Sequence, residues 1–295
     1  MKGFQVAVMT TPLNDRLQPD LAAVERMAER LCHSPAEALF PCASTGEFVH
    51  FSPEANQALM RRTAEVARGR RRLYAGICAP DLRQSVAYLE YAKKLGADAC
   101  VACPPYYYPL PQRQVTAYYR QLCRAAEGMP IIAYHAPFFT TGIEADSLRE
   151  LLETTPLRGI KDSSANLKRI GHLLNLAQNH DFTVYTGTDD CLLGALAMGC
   201  GGSMTALGSS VPERVGAIYR AWERGDLSEA RRLQQQLMPL LALADSLVFP
   251  LGYKLIAELA LGMPGGYYLQ THDPREVETV REAMRTLMEK WGDSL

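Results

Sequence analysis

The chain has 295 residues and a mass of 32.6 kDa, a size that fits one large α/β barrel or two medium-sized domains. Hydrophobic residues make up 47% and charged residues 21%, which is ordinary for a globular protein and excludes a disordered chain, a collagen and a coiled coil. The net charge is −1, and no run of like charge exceeds the short arginine-rich stretch 68–72, so the sequence disfavours a general nucleic-acid or membrane-surface binder.

The cysteines do not form the pattern of a disulfide framework, and the cysteines and histidines do not form the cluster that a metal site needs. The eight cysteines are scattered and lie mostly in apolar runs, where a reduced thiol acts as a small hydrophobic side chain. Cys100 and Cys103 have C-x-x-C spacing, but along a strand that spacing turns them to opposite faces. The chain starts directly with a strand-like run and has no stretch of about 18 apolar residues, so we expect a cytoplasmic protein without a membrane partner.

Eight short apolar runs alternate with segments of helical period over the first two thirds of the chain. The predicted strands span residues 4–10, 37–42, 73–78, 97–103, 130–134, 157–161, 182–185 and 201–206. Between them, apolar residues recur at helical spacing, for example Leu167, Ile170 and Leu174, with Ser163 and Ser164 as candidate N-caps. Strands this uniformly apolar fit a sheet that is covered on both faces.

Eight strand-then-helix units predict an α/β protein of the (β/α)8 TIM-barrel fold. The competing doubly wound sheet would place a Gly-x-Gly-x-x-Gly motif after its first strand, whereas the turn at Met9 reads Met-Thr-Thr-Pro-Leu-Asn without glycine. From Asp226 onward the pattern is purely helical, with predicted helices over 227–247, 249–261 and 274–291. We therefore predict a catalytic barrel over residues 1–225 and a helical extension over 226–295 that packs on it.

In a barrel of this kind the active site lies where the strands end, and Lys161 ends the sixth predicted strand. Burial there would lower the pKa of its amine, and a neutral amine forms a Schiff base with a ketone. Tyr134, one strand away, can relay protons if Ser44 or Thr45 supplies a second hydroxyl. The turn at Ser44 also exposes N–H groups that suit a carboxylate. Together these residues predict a keto-acid site.

Each of these residues also has a structural explanation when it is taken singly. Lys161 fits a lysine at a strand end that extends to solvent, and Tyr134 fits an aromatic residue of the barrel core. The segment Ser44-Thr45-Gly46 fits an ordinary turn between a strand and a helix. His135 follows Tyr134, and because side chains alternate along a strand it should point away from the barrel interior, in a structural role.

Five segments follow one another along the chain in a characteristic order. They are Thr11-Pro12, Ala43-Ser-Thr-Gly-Glu47, Pro104-Pro-Tyr-Tyr107, Tyr134-x-x-Pro137 and Gly159-Ile-Lys-Asp-Ser163. In these segments the sequence resembles the pyruvate-dependent class I aldolases, typified by dihydrodipicolinate synthase and N-acetylneuraminate lyase. The resemblance covers essentially the whole chain, including the three terminal helices. It implies no cofactor and no metal, with pyruvate and an aldehyde as partners in a homotetramer assembled from tight dimers.

The resemblance also implies roles for individual residues. Lys161 would form the imine, Tyr134 would be the acid and base, and Ser44 would take part in the proton relay. Tyr107 would complete that relay from a neighbouring subunit. The expected substrate-binding residues are Thr45, Gly46, Ser163, Thr188, Asp189, Asp190 and Thr205.

One departure from the family pattern concerns the second substrate. In dihydrodipicolinate synthases an arginine two residues after the Tyr-x-x-Pro proline holds the second substrate's carboxylate, but here the loop after Pro137 reads Phe-Phe-Thr-Thr-Gly. The missing arginine disfavours lysine biosynthesis and favours the sugar-acid lyase branch. Asp189 and Asp190 match residues that bind sugar hydroxyls in that branch, but they equally fit N-caps of the next helix. The synthase branch has a similar pair, so these residues discriminate weakly.

The leading hypothesis is a lyase that forms an imine on Lys161 and cleaves or forms a 2-keto-3-deoxy sugar acid from pyruvate and an aldehyde. The alternatives within the enzyme class are a dehydratase that acts on a similar acid through the same imine, and dihydrodipicolinate synthase itself. A keto-acid sensor without turnover is the alternative outside that class. The combination of Lys161, Tyr134 and Ser44 argues against a sensor, because binding alone needs no proton relay.

Overall fold

Eight parallel strands close into one barrel in the computed structural model, which describes residues 3–264, 266 and 272–291. The strands are β1 (Phe4–Val8), β2 (Ala38–Phe40), β3 (Arg72–Gly76), β4 (Ala99–Ala102), β5 (Ile131–His135), β6 (Gly159–Asp162), β7 (Thr183–Thr186) and β8 (Gly202–Thr205). Each strand pairs with its neighbours in chain order, and β8 pairs with β1. The predicted fold is therefore confirmed. Most strands are shorter than their apolar runs, because the run continues into a buried loop, as at Cys42 after β2.

The helices surround the barrel and extend beyond it. They are α1 (Leu21–Cys32), α2 (Pro53–Ala67), α3 (Leu82–Leu95), α4 (Gln112–Ala126), α5 (Ala145–Thr154), α6 (Leu167–Ala177), α7 (Leu192–Met198), α8 (Leu207–Ser210), α9 (Pro212–Glu223), α10 (Leu227–Asp245), α11 (Leu251–Leu261) and α12 (Pro274–Glu289). The prediction of an N-cap at Ser163 or Ser164 was wrong, because Asn166 caps α6 by accepting the N–H of Arg169. Ser164 instead donates its N–H to Asp162 at 3.0 Å.

The last three helices, α10 to α12, share a hydrophobic cluster with the helices that follow β7 and β8. Leu192 of α7 and Ile218 of α9 belong to this cluster together with Leu240 of α10, Leu255 of α11 and Met284 of α12. These contacts fix where α10 and α11 lie relative to the strand ends. The division of the chain between residues 225 and 226 stays a prediction. In the ranges that the structure describes, no helix has both the length and the apolar character that a membrane span requires.

Candidate active site

Lys161 lies on β6 directly beside Tyr134 of β5 in the strand register. Its side chain is buried, with the Nζ atom 4.3 Å from the centre of the Tyr134 ring and 5.3 Å from that of Phe40. Burial lowers the pKa of the Lys161 amine to about 8, and the nearby Cys78 and Asp189 oppose this shift. A much larger fraction of this amine is therefore neutral, and nucleophilic, than of an ordinary lysine amine.

Tyr134 presents its phenol to two serine hydroxyls. Its Oη atom lies 3.5 Å from Ser44 Oγ, and Ser163 also contacts the phenol. Burial raises the pKa of Tyr134 to about 12, and the two serines partly oppose that shift. The phenol is therefore protonated near neutral pH, and the two serine hydroxyls are the groups that lower its pKa again. The 3.5 Å separation lies at the outer limit for a hydrogen bond, so a bound substrate would have to tighten this contact.

The turn after β2 consists of two short 3-10 helices, Ser44–Gly46 and Phe48–His50, joined at Glu47. Gly46 packs so closely that a Cβ atom would lie 2.9 Å from Met9 O, and its own carbonyl accepts a 2.7 Å hydrogen bond from Thr11 Oγ1. The N–H groups of Gly46 and Glu47 bond inside the turn. Since the first N–H groups of a helical turn have no partner within it, the N–H groups of Ser44 and Thr45 do not bond inside the turn. The missing side chain of Gly46 lets the turn pack against Met9, and the Gly46 N–H is already bonded inside the turn.

A cavity of about 360 Å³ lies at these strand ends. Thr45, Tyr134, Lys161, Ser163, Thr188, Asp189 and Asp190 line it, as the sequence predicted for a common site. Gly187 also lines it, and a Cβ atom there would lie 3.0 Å from Lys161 Cε and would overlap the Ser163 hydroxyl. Among the described lining residues, Lys161 is the one basic side chain.

The wall of the cavity opposite the strands comes from the C-terminal helices, which sequence reasoning did not assign to the site. Leu241 and Asp245 of α10, Phe249 of the following loop and Tyr253 of α11 line it. Tyr253 donates its hydroxyl hydrogen bond to Asp245 Oδ1 at 2.9 Å. No motif marks these residues, because they reach the site only through the packing of α10 and α11.

Asp189 is buried at the end of β7, and the capping alternative for it was wrong. Its Oδ2 atom accepts the N–H of Leu207 at 3.1 Å, while α7 begins after Cys191 without a side-chain cap. Burial raises the pKa of the Asp189 carboxyl to about 6. Thr205 lies outside the cavity wall, with its hydroxyl beside the Asp189 carboxylate. Asp190 is exposed at the rim.

Tyr107 lies outside the cavity and is 85% exposed, with its ring 4.9 Å from that of Tyr108. Its backbone has φ of 82°, a value that a tyrosine rarely adopts. Within one chain, this residue does not reach the Tyr134 phenol through any described contact. Its predicted place in the relay therefore depends on a second subunit and stays a prediction.

The loop after Pro137, where the resemblance to the synthases would place an arginine, is aromatic in its first half. Phe138 and Phe139 both line the cavity, and the Phe139 ring lies 5.3 Å from that of Phe249. His135, before this loop, is buried, and its Nδ1 atom accepts the N–H of Ile143 at 2.9 Å. Burial lowers the pKa of His135 to about 4, so its ring stays neutral and holds the loop in place.

Comparison with known proteins assigns the family. A model described as the dihydrodipicolinate synthetase family matches residues 2–288. An Escherichia coli K12 protein assigned as a 2-dehydro-3-deoxy-D-pentonate aldolase, YjhH, is 30% identical over 228 residues, 76% of this chain and 75% of that protein. The 4-hydroxy-tetrahydrodipicolinate synthase of Thermodesulfovibrio yellowstonii is 28% identical over 240 residues, 81% of each chain. A 2-keto 3-deoxygluconate aldolase from Picrophilus torridus has a TM-score of 0.85 and 25% identity, covering 92% of this chain and 97% of that one.

Proposed function

Because this chain belongs to the dihydrodipicolinate synthetase family, whose members are lyases and aldolases, we propose that it cleaves or forms 2-keto-3-deoxy sugar acids through an imine on Lys161. The observation that supports this most directly is the buried Lys161 amine, with a pKa of about 8, packed against the Tyr134 ring. Two relatives whose names describe aldolases of 3-deoxy sugar acids favour the same substrate class.

The first half of the proposed reaction forms the imine. The neutral Lys161 amine attacks the C2 carbonyl of the keto acid while Ser44 and Thr45 hold its carboxylate, and one amine proton passes to the carbonyl oxygen to give the carbinolamine. Tyr134 donates a proton to the departing hydroxyl, so that water leaves and the C2–N double bond forms. Ser44 and Ser163, which contact the phenol, stabilise the phenolate that remains.

The second half breaks the C3–C4 bond. The Tyr134 phenolate takes the proton of the C4 hydroxyl, the aldehyde leaves, and the bonding electrons move into the enamine on Lys161. The Tyr134 phenol then returns its proton to C3, and addition of water to the imine releases pyruvate and restores the free amine and the phenol. The same imine acidifies C3, so a dehydratase would use the same residues and lose hydroxide instead of the aldehyde.

The outer part of the cavity supports a hydroxylated aldehyde as the second substrate. Thr188, Asp189 and Asp190 line one side of it, and Asp245 with Tyr253 lines another. These groups accept hydrogen bonds from hydroxyls. An aldehyde that carries a carboxylate would instead meet these acids and the rings of Phe138 and Phe139.

The synthase is the second candidate, because a relative with that name is 28% identical over most of both chains. It requires a cation that holds the carboxylate of the second substrate. The described lining residues offer Lys161 alone, which the imine consumes. The sugar-acid activity is therefore the better supported of the two.

The active enzyme in this proposal is a homotetramer of tight dimers, in which Tyr107 of one subunit completes the proton relay of the other. The exposed Tyr107 and Tyr108 side chains support this, since two adjacent aromatic rings seldom remain in water. Sedimentation velocity would test the assembly. A fully active monomer would refute the role of Tyr107.

Borohydride trapping tests the imine. With pyruvate present, peptide mass spectrometry should find a reduced pyruvyl adduct on Lys161. Lys254 is an internal control, because it is also buried but is paired with Glu47. An equal adduct yield in Lys161→Ala would refute the assignment. A panel of 2-keto-3-deoxy acids, assayed for pyruvate release and for loss of water, would then separate the aldolase from the dehydratase.

A further inference from the structure

A buried ion pair joins the turn that precedes the cavity to the C-terminal helices. Glu47, in that turn, accepts a hydrogen bond from the Lys254 ammonium of α11, 207 residues away in sequence. Both residues are only 4% exposed. A buried charge is tolerated only with a partner, so this contact strongly constrains the relative position of the turn and α11.

Glu47 is the junction of the two short helices in the turn. Its backbone has φ of 58° and ψ of 31°, the left-handed region that residues with a Cβ atom seldom occupy. The Ser44–Gly46 helix, which carries the proposed carboxylate donors, ends at this junction. A change in the Glu47 side chain is therefore transmitted directly to Ser44 and Thr45.

Three side chains from different parts of the chain make hydrogen bonds to this turn. Thr11, in the loop after β1, donates to Gly46 O at 2.7 Å. Asn56 of α2 donates to Phe48 O at 3.0 Å. Lys254 of α11 donates to the Glu47 carboxylate and is the only one of the three that belongs to the C-terminal extension.

The backbones of Tyr134 and Lys161 do not depend on this arrangement, although the Tyr134 phenol lies 3.5 Å from Ser44 Oγ in the turn. They lie on β5 and β6 and are held by the strand ladder. Loss of the ion pair should therefore weaken binding of the substrate carboxylate by the Ser44–Gly46 turn and leave the Lys161 amine and the Tyr134 phenol in place.

We propose that Lys254 is a positioning residue for the site of the keto-acid carboxylate. Lys254 acts through Glu47 and holds the Ser44–Gly46 turn against α11. The inference rests on the proposed function, because it assigns the pyruvate carboxylate to that turn. It makes the C-terminal helices part of the substrate site twice, through the cavity wall and through this ion pair.

A double-mutant cycle tests the proposal. The variants are Lys254→Met, Glu47→Gln and the combination of both, and the combination removes both buried charges at once. Calorimetry measures the Kd of pyruvate, and borohydride trapping at saturating pyruvate measures the rate of imine formation. We expect each single variant to raise the Kd roughly tenfold and the double variant to raise it by about the same factor, with the saturated rate within about twofold of wild type.

Arg281→Met is the matched control. Arg281 of α12 pairs with Glu258 of α11 at 3.3 Å and with Glu278 of its own helix at 2.6 Å, so this variant removes ion pairs of the extension that do not involve the turn. It should leave the Kd of pyruvate unchanged. If Lys254→Met does not fold, as judged by circular dichroism, the double variant and Glu47→Gln are compared directly, and equal Kd values for pyruvate are then expected.

The proposal is wrong if folded variants bind pyruvate as wild type does, if Arg281→Met weakens binding equally, or if the two single effects add in the double variant. A different result would contradict the proposed function. Pyruvate that still binds but forms no adduct on Lys161 would refute the imine and leave the role of Lys254 open to the same calorimetric test.

Discussion

The pH dependence of imine formation follows from the burial of Lys161. Burial lowers the pKa of its amine from 10.5 to about 8. At pH 7 an amine with a pKa of 8 is about 10% neutral, whereas one with a pKa of 10.5 is about 0.03% neutral. Burial therefore raises the concentration of the nucleophile about 300-fold at this pH.

The assay is the initial rate of adduct formation with pyruvate and cyanoborohydride between pH 6 and 10, read by intact-protein mass spectrometry. The rate should rise about tenfold per pH unit at first and level off above about pH 8. Tyr134, with a pKa raised to about 12, stays protonated across this range, so no falling limb is expected. A rate that still rises steeply between pH 9 and 10 would show that burial does not lower the pKa of Lys161.

Asp189→Asn provides a matched variant for this profile. The Asp189 carboxylate raises the pKa of Lys161, and with its own pKa of about 6 it is ionised over most of the range. Its replacement by a neutral amide should move the midpoint of the rate profile to lower pH. A midpoint that moves upward would contradict the electrostatic account.

Three further predictions concern Tyr134, the choice of aldehyde and His135. Tyr134→Phe should keep the fold and its thermal unfolding temperature but lower turnover by about 10²-fold, and near-normal turnover would leave Tyr134 a structural residue. Because Phe138 and Phe139 line the outer cavity, the kcat/KM for condensation of pyruvate with glyceraldehyde or glycolaldehyde should exceed that with aspartate semialdehyde. If aspartate semialdehyde gives the highest kcat/KM, the result would favour the synthase. The pKa of His135 is lowered from 6.5 to about 4 in the folded protein. Between these two pH values the unfolded state therefore binds more protons than the folded state. The free energy of unfolding should fall by up to about 3 kcal/mol as the pH drops from 6.5 to 4. His135→Gln should flatten this dependence in urea titrations, and an unchanged slope would contradict it.

The sequence by itself determined the barrel and the centre of the candidate site. Eight apolar runs of strand length, each followed by a helical period, admit few other folds, and all eight became strands of one closed sheet. Because the carboxyl ends of these strands meet at one edge, the positions of Lys161, Tyr134 and Thr45 along the chain were enough to predict that they line one cavity. Local pattern decides these features, since each depends on only a few neighbouring residues.

Only the tertiary structure decided the features that depend on contacts between distant segments. By its sequence Asp189 could bind sugar hydroxyls or cap the next helix, and its hydrogen bond to Leu207 of the next βα unit, with no side-chain cap on α7, excluded the cap. Asp245 and Tyr253 line the cavity because α10 and α11 pack against the helices that follow β7 and β8. The pairing of Glu47 with Lys254 spans 207 residues. No periodicity or motif specifies such a pair, because the free energy that selects it comes from the mutual burial of two charges that meet only after the chain has folded.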